Sequence, residues 1–219
     1  MKKLLVSVLV MAMVFTLFGC MTPKTDVATG YNNASTMQVD KANKVITMQC
    51  EVNGTYFTQP TRHGVVFKDG SNGEKSVLRG LHSEKEFYNA MMELGFKPGN
   101  NLTADTMAKG GVIEGDKVRV TVQWAGQKEI PFQNIIRAET KDNKDYPYTM
   151  DIRFGGNIDR ANAKNTGCVL CLDSCAVGIV SDATWPGGAV EVRHDVGFYG
   201  RKEVLPPDGT RVTVKFYVG

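Results

Sequence analysis

The sequence predicts an α+β protein built on a mostly antiparallel or mixed β-sheet, with one clear helix and a cysteine-rich loop. Several short runs alternate between apolar and polar residues, as strands with one buried face do. One segment instead carries apolar residues at helical spacing. The regular alternation of strands and helices that typifies parallel α/β folds is not seen, so we expect the sheet to be antiparallel or mixed.

The N-terminus has the features of a bacterial lipoprotein signal. Lys2 and Lys3 precede an apolar run at residues 4–18, which is shorter than the roughly 20 residues of a membrane span. The run ends at a glycine followed by Cys20, which resembles the lipobox of bacterial lipoproteins. We therefore predict a signal peptide at residues 1–19 and lipidation of Cys20.

This N-terminus predicts where the protein is found. Residues 20–43 are polar and are expected to form a flexible tether, and residues 44–219 are expected to form one domain. The lipid would hold that domain at a membrane in the bacterial cell envelope, outside the cytoplasm. Loss of the two signal lysines lowers the formal charge of +3 by two, and no long basic run remains. No nucleic-acid partner is therefore expected.

The strand predictions follow the alternating runs in chain order. Strands are expected at residues 44–50, 55–58, 64–68, 116–124, 129–138, 148–154 and 210–218. The Asn53-Gly54 pair between the first two runs predicts a β-hairpin, because such pairs adopt tight turns readily. Pro131 lies inside the fifth run and predicts an edge strand, since proline cannot donate to a sheet ladder.

The helix is predicted at residues 83–94. Ser83 and Glu86 form the spacing of a capping box, in which each side chain binds the backbone of the other residue. One face of the helix carries four apolar residues, namely Phe87, Ala90, Met91 and Leu94. Gly95 follows and favours a helix end. The apolar face is expected to pack in the core.

Three of the five cysteines form a C-x2-C-x3-C motif at Cys168, Cys171 and Cys175. Closely spaced thiolates hold iron–sulfur clusters and structural zinc ions, both commonly with four protein ligands. The motif matches part of the bacterial ferredoxin pattern. The first cysteine of that pattern would fall at Asn165, and Ala176 stands where proline usually follows the last cysteine.

A fourth ligand would have to come from elsewhere in the chain. With Cys20 lipidated, Cys50 is the remaining thiol, although it precedes Cys168 by 118 positions. His63 and His194 are the other candidate ligands, because imidazole binds both iron and zinc. The four remaining cysteines suffice for one metal centre or for two disulfides.

Two interpretations do not need a metal. An exported protein lies where disulfides form, so the four cysteines are also compatible with two structural disulfides. A redox dithiol at Cys168 and Cys171 would require Cys168 to be exposed at a helix start beside a βαβ unit, which the surroundings do not indicate. The signal lacks a twin-arginine pair, so we expect export of an unfolded chain and assembly of any iron–sulfur cluster outside the cytoplasm.

The chain resembles the YdjY-like family of exported bacterial proteins. The resemblance rests on RHGVVF at residues 62–67, FYNAMMELG at 87–95, MDIRFGGN at 150–157 and the cysteine motif at 166–175. It covers roughly residues 44–200. It implies a ferredoxin-like or metal-binding role for the cysteines, and it implies no particular reaction or substrate.

These observations lead to two functional hypotheses. The first is a lipid-anchored, extracytoplasmic protein with an iron–sulfur or zinc centre and an accessory role in electron transfer with a redox partner protein. The second is a binding or structural lipoprotein whose cysteines are disulfide-bonded. An enzyme is not expected, because neither a nucleophile elbow nor a phosphate-binding glycine loop is seen.

Overall fold

A computed structural model describes residues 37–219 of the chain. The predicted signal peptide, Cys20 and most of the predicted tether lie outside the described residues. The sheet begins at Gln38, inside the segment expected to be a tether. Within residues 37–219, none of the helices has the length and apolar character needed to cross a membrane.

The described residues form twelve strands and three short helices. The strands are β1 Gln38–Asp40, β2 Val45–Val52, β3 His63–Phe67, β4 Ser76–Gly80, β5 Val118–Gln123, β6 Ile130–Pro131, β7 Ile136–Thr140, β8 Ile152–Phe154, β9 Cys168–Cys171, β10 Val180–Asp182, β11 Val196–Gly200 and β12 Arg211–Val218. The helices are α1 Glu84–Glu93, α2 Ala104–Ala108 and α3 Ile158–Lys164. Three single turns of 3-10 helix lie at Gly54–Phe57, Gly73–Lys75 and Phe132–Ile135.

Ten strands make one mixed sheet. Its order is β6-β5-β12-β2-β4-β3-β9-β10-β8, and β1 pairs with the first half of β2. Most neighbours are antiparallel, but β3 runs parallel to β4 and β9 runs parallel to β10. The strands β7 and β11 form a separate two-stranded sheet. The prediction of a β-rich protein with a mixed sheet is confirmed.

The helix prediction was correct but incomplete. The helix α1 has the predicted capping box, in which Ser83 accepts from the backbone of Glu86 and Glu86 accepts from the backbone of Ser83. Phe87, Ala90 and Met91 are buried on its inner face. The expectation of one clear helix is imprecise, because α2 and α3 were not predicted. Both are short, at five and seven residues, and so carry little periodic signal.

Three local predictions were wrong. The single strand predicted at residues 129–138 is instead β6, the 3-10 turn at Phe132–Ile135 and the start of β7, and the two strands belong to different sheets. The Asn53-Gly54 pair does not begin a hairpin, because Gly54–Phe57 forms a 3-10 turn in which the Asn53 side chain accepts from the backbone of Thr55. The cysteine-rich segment is not wholly a loop, since Cys168–Cys171 is the fully buried strand β9. Only Cys175 lies in the loop that follows.

The apolar core has one main cluster and a small cluster around sulfur atoms. The main cluster joins apolar side chains from most of the strands and from α1, and it includes Cys50. The small cluster contains Val66 and three cysteines, Cys168, Cys171 and Cys175. The fold therefore separates one cysteine from the other three.

Candidate metal centre

The pairing of β3 with β9 builds the site. These strands are antiparallel neighbours, with His63 opposite Cys171 and Val66 opposite Cys168. The register shifts twice between those pairs. Such irregularities bend a strand and redirect its side chains. The pairing brings a histidine to cysteines that are more than 100 positions away in the sequence.

Three side chains lie at the spacing of a metal site. The Nδ1 atom of His63 is 3.7 Å from the Sγ atom of Cys168. One ligand atom each from His63, Cys168 and Cys171 lies within 4.8 Å of both others, and all three residues are buried. Imidazole nitrogen and thiolate sulfur are the donors that zinc and iron centres use. This group could hold a metal ion.

Cys175 extends the group on the other side of Cys171. Its side chain belongs to the same small buried cluster as those of Cys168 and Cys171. Its carbonyl oxygen accepts from Asn157 Nδ2 at 3.0 Å, and Asn157 also donates to the carbonyl of Gly178 at 3.3 Å. Asn157 therefore holds two points of the loop that carries Cys175. Cys175 is not itself one of the three side chains whose ligand atoms all lie within 4.8 Å of one another.

The pKa of Cys171 is shifted in the opposite direction from those of Cys168 and Cys175. Hydrogen bonding to the thiols on either side, together with burial, raises the pKa of Cys171 well above its ordinary value. Hydrogen bonds from Cys171 and His63 lower the pKa of Cys168 well below it, against the effect of burial. A hydrogen bond from Cys171 and the charge of Arg62 likewise lower the pKa of Cys175. Both of these shifts favour the thiolate form of Cys168 and Cys175, which is the form that binds metals.

Further polar contacts hold this arrangement in place. The Asn72 side chain donates to Cys168 Sγ at 3.7 Å. The carboxylate of Glu84, in the first turn of α1, accepts from the backbone N–H of Gly167 at 3.0 Å. Gly167 directly precedes Cys168, so α1 fixes the start of β9. Contacts of this kind orient the residues that bind a metal.

Arg62 and Asp173 are site residues that the sequence analysis missed. Arg62 Nε and Nη2 both donate to Asp173 Oδ1, at 2.9 and 2.7 Å, and both side chains are buried. Arg62 directly precedes His63, and Asp173 lies between Cys171 and Cys175. A charged residue beside each ligand segment was visible in the sequence. Their pairing was not, because 111 positions separate them.

The two other predicted ligands lie apart from this group. Cys50 is on β2, opposite Gly80 of β4, and β4 and β3 lie between β2 and β9 in the sheet. At about 4.8 Å per strand, this places the Cys50 backbone about 14 Å from that of β9. His194 lies on an exposed turn with a positive φ of 54°. Neither residue is in the group of potential metal ligands found among residues 37–219.

The state of the four described cysteines also tests the disulfide and redox-dithiol interpretations, neither of which needs a metal. Cys50, Cys168, Cys171 and Cys175 are all free thiols, so residues 37–219 contain no disulfide. A thioredoxin-like dithiol needs an exposed cysteine at the start of a helix. The structure instead places Cys168 and Cys171 on a strand, with neither accessible to solvent.

Comparison with known proteins gives the family. The YdjY domain matches residues 37–217, which is nearly the whole described chain. The chain belongs to the YdjY domain family. It is 45% identical over 190 residues to "Uncharacterized protein YdjY" of Escherichia coli (strain K12), covering 86% of this chain and 81% of that protein. No solved structure matches the chain significantly. The resemblance noted in the sequence is thereby confirmed.

Proposed function

We propose that this YdjY domain binds a single transition-metal ion and serves as a non-catalytic redox accessory protein of the bacterial cell envelope. One observation carries the proposal: donor atoms of three buried side chains, His63, Cys168 and Cys171, lie within 4.8 Å of one another. Buried thiols ordinarily pack as small apolar groups, but a buried histidine beside two of them offers the nitrogen and sulfur donors that a metal ion uses.

The spacing supports one ion rather than a multi-iron cluster. Metal–sulfur and metal–nitrogen distances of about 2.3 and 2.0–2.1 Å in a tetrahedral zinc site place those two donors about 3.6 Å apart. The observed distance between Cys168 Sγ and His63 Nδ1 is 3.7 Å. A cluster would hold its ligands farther apart, because several iron and sulfide atoms lie between them. The distance between these two donors already suits a single ion.

Cys175 is the proposed fourth ligand. It is 1% exposed and belongs to the same small cluster as Cys168 and Cys171. It is not one of the three side chains whose ligand atoms all lie within 4.8 Å of one another, so its sulfur would move towards the ion on binding. Three thiolates and one histidine make a closed tetrahedral set. Such a set leaves no open position for a substrate, which supports electron transfer rather than metal-assisted catalysis. The electron would enter or leave the ion itself, with no bond formed or broken at the ligands.

The location in the envelope rests on the N-terminal sequence. A signal peptide at residues 1–19 and a lipid on Cys20 would attach the domain to a membrane on its extracytoplasmic side. A single ion is also compatible with export of an unfolded chain, since it can bind after the sheet has formed outside. The partner is then a redox protein of the same compartment.

The test uses the full chain purified without oxygen. We expect one iron ion per chain, no acid-labile sulfide, and protection of Cys168, Cys171 and Cys175 from thiol reagents. The variant Cys168→Ala should lose the metal. The matched control is Cys50→Ala, which removes an equally buried thiol outside the group and should keep it. Equal metal loss in both variants, or free thiols and no metal in the wild type, would contradict the proposal.

Iron–sulfur chemistry remains the second candidate, because the C-x2-C-x3-C spacing matches part of the ferredoxin pattern. A brown protein that contains sulfide and several iron atoms per chain would favour it. A colourless protein with one zinc ion would instead favour a structural site and would remove the electron-transfer role. The same preparation thus separates the three outcomes.

A further inference from the structure

We propose that Arg62 is a positioning and charge-compensating residue for the metal centre, and that its buried positive charge raises the reduction potential of the bound ion. This inference rests on the proposed function, since it requires an ion at the His63, Cys168 and Cys171 group. It adds a residue that neither the family match nor the cysteine motif identifies.

The guanidinium group of Arg62 is fixed in place. Two of its nitrogens donate to one oxygen of Asp173, and Nη1 donates to Glu191 at 3.1 Å. Nη2 also lies 3.8 Å from the sulfur of Met107. The Arg62 side chain is only 7% exposed. With partners on three sides, the positive charge cannot move out to solvent.

Arg62 contacts the segment that follows Cys171 and directly adjoins His63. Its carbonyl oxygen accepts from the backbone of Leu172, which directly follows Cys171, at 2.8 Å. His63 is its neighbour on the chain. The guanidinium group is bound to Asp173, which lies between Cys171 and Cys175 in the sequence, so the positive charge is held beside the cysteine loop.

The negative charges of the metal-bound site and of Asp173 explain why a cation is needed beside them. Three thiolates and a neutral imidazole on a divalent ion carry a net charge of −1, and the buried Asp173 adds another. Uncompensated buried charge is strongly unfavourable. Arg62 cancels one of these two charges, whereas the carboxylate of Glu191 is 61% exposed and is largely screened by solvent.

The effect on the potential has a definite sign. Reduction of iron(III) to iron(II) adds one electron and therefore one negative charge to the buried centre. A nearby fixed positive charge stabilises the reduced state more than the oxidised state. Removal of that charge should lower the reduction potential. A purely structural role for Arg62 would change stability without this directional shift.

The experiment compares variants of the full chain, loaded anaerobically with iron(II) and titrated with redox mediators. In Arg62→Gln, which keeps a hydrogen-bond donor but loses the charge, the ratio of reduced to oxidised protein at a fixed potential should fall at least tenfold. That corresponds to a shift of about 59 mV for a one-electron couple. The variant Arg62→Lys should stay near the wild type.

The control is Arg79→Gln. Arg79 is also partly buried and also donates to two carboxylates, those of Glu74 and Asp208, but it lies on β4. It should leave the potential unchanged. An unchanged potential in iron-loaded Arg62→Gln overturns this inference alone. If Arg62→Gln does not fold, a potential in Arg62→Lys that differs from the wild type by as much as tenfold overturns it. Failure of the wild type to bind iron removes the proposed function as well.

Discussion

Gly178 lies directly against the sulfur of the central cysteine. A Cβ atom at this position would lie 2.9 Å from Cys171 Sγ and 2.8 Å from Ser181 Oγ, distances that force one of them to move. We expect Gly178→Ala to displace that sulfur and to weaken metal binding by about 10–100-fold, the range typical of changes around a metal site. A competition titration with a coloured chelator measures this. Wild-type affinity in Gly178→Ala would mean that Cys171 is not a ligand.

Asp182 gives the protein a predictable dependence on pH. Burial raises the pKa of its carboxyl to about 6, although its Oδ1 accepts from the backbones of Asp151 and Thr184. Because the folded protein binds this proton more tightly than the unfolded chain, Asp182 adds stability as the pH falls from about 6 towards 4. Ionisation at pH 7 costs about 2–3 kcal/mol by the same relation.

The variant Asp182→Asn keeps the accepting oxygen and removes the charge. We expect it to be more stable than the wild type at pH 7, with the difference shrinking as the pH falls to 5. Denaturant unfolding at both values measures this, and comparison with the variant cancels the contributions of other carboxylates. A difference that does not depend on pH would show that Asp182 is not the titrating group.

At the level of single residues, sequence reasoning identified side chains that could bind a metal but could not choose among them. The spacing of Cys168, Cys171 and Cys175 predicted that they act together, because the intervening chain is too short to separate them. Cys50 and His63 were both distant candidates, since they precede Cys168 by 118 and 105 positions. Only the strand order separates them, since β3 is adjacent to β9 whereas β2 lies three positions away.

Among the elements, α1 links the core to the candidate site. Its first residue, Glu84, is 4% exposed and accepts from the backbone of Gly167 at the start of β9. Glu84→Ala leaves that N–H buried without a partner, which should lower the free energy of unfolding by about 1–3 kcal/mol. Denaturant unfolding of the protein measures the loss.

The matched control for this prediction is Glu84→Gln, which keeps an oxygen that can accept from Gly167. It should retain most of the stability that Glu84→Ala loses. If both variants were destabilised equally, the negative charge near the helix N-terminus, rather than the contact with Gly167, would be the stabilising feature.

Elements with strong local patterns were predictable, and those defined by their neighbours were not. The strands β5 and β12 alternate cleanly and were predicted within two residues at each end. By contrast, β9 reads CVLC, buried at every position because strands and core cover both its faces. Such a run lacks alternation, so its cysteines suggested a loop. The short strand β4 likewise takes its conformation from pairing with β2 and β3.

For the molecule as a whole, a bound ion should contribute measurably to stability. A ligand at a free concentration 100 times its dissociation constant adds about 2.7 kcal/mol to the free energy of unfolding. For a domain of this size, we expect a strong chelator to lower the melting temperature of the metal-loaded protein by about 5–10 °C. Calorimetry with and without chelator measures the shift, and Cys168→Ala should not respond.

The separation of His63 from the cysteine motif has a consequence for the order of events after synthesis. The histidine and Cys168 are 105 positions apart, so an extended chain holds only a fragment of the site. Contacts between residues so distant in sequence form late and slowly in folding. Pairing of β3 with β9 should therefore limit the rate at which the ion binds. The rate of metal uptake would then measure how fast the sheet is completed.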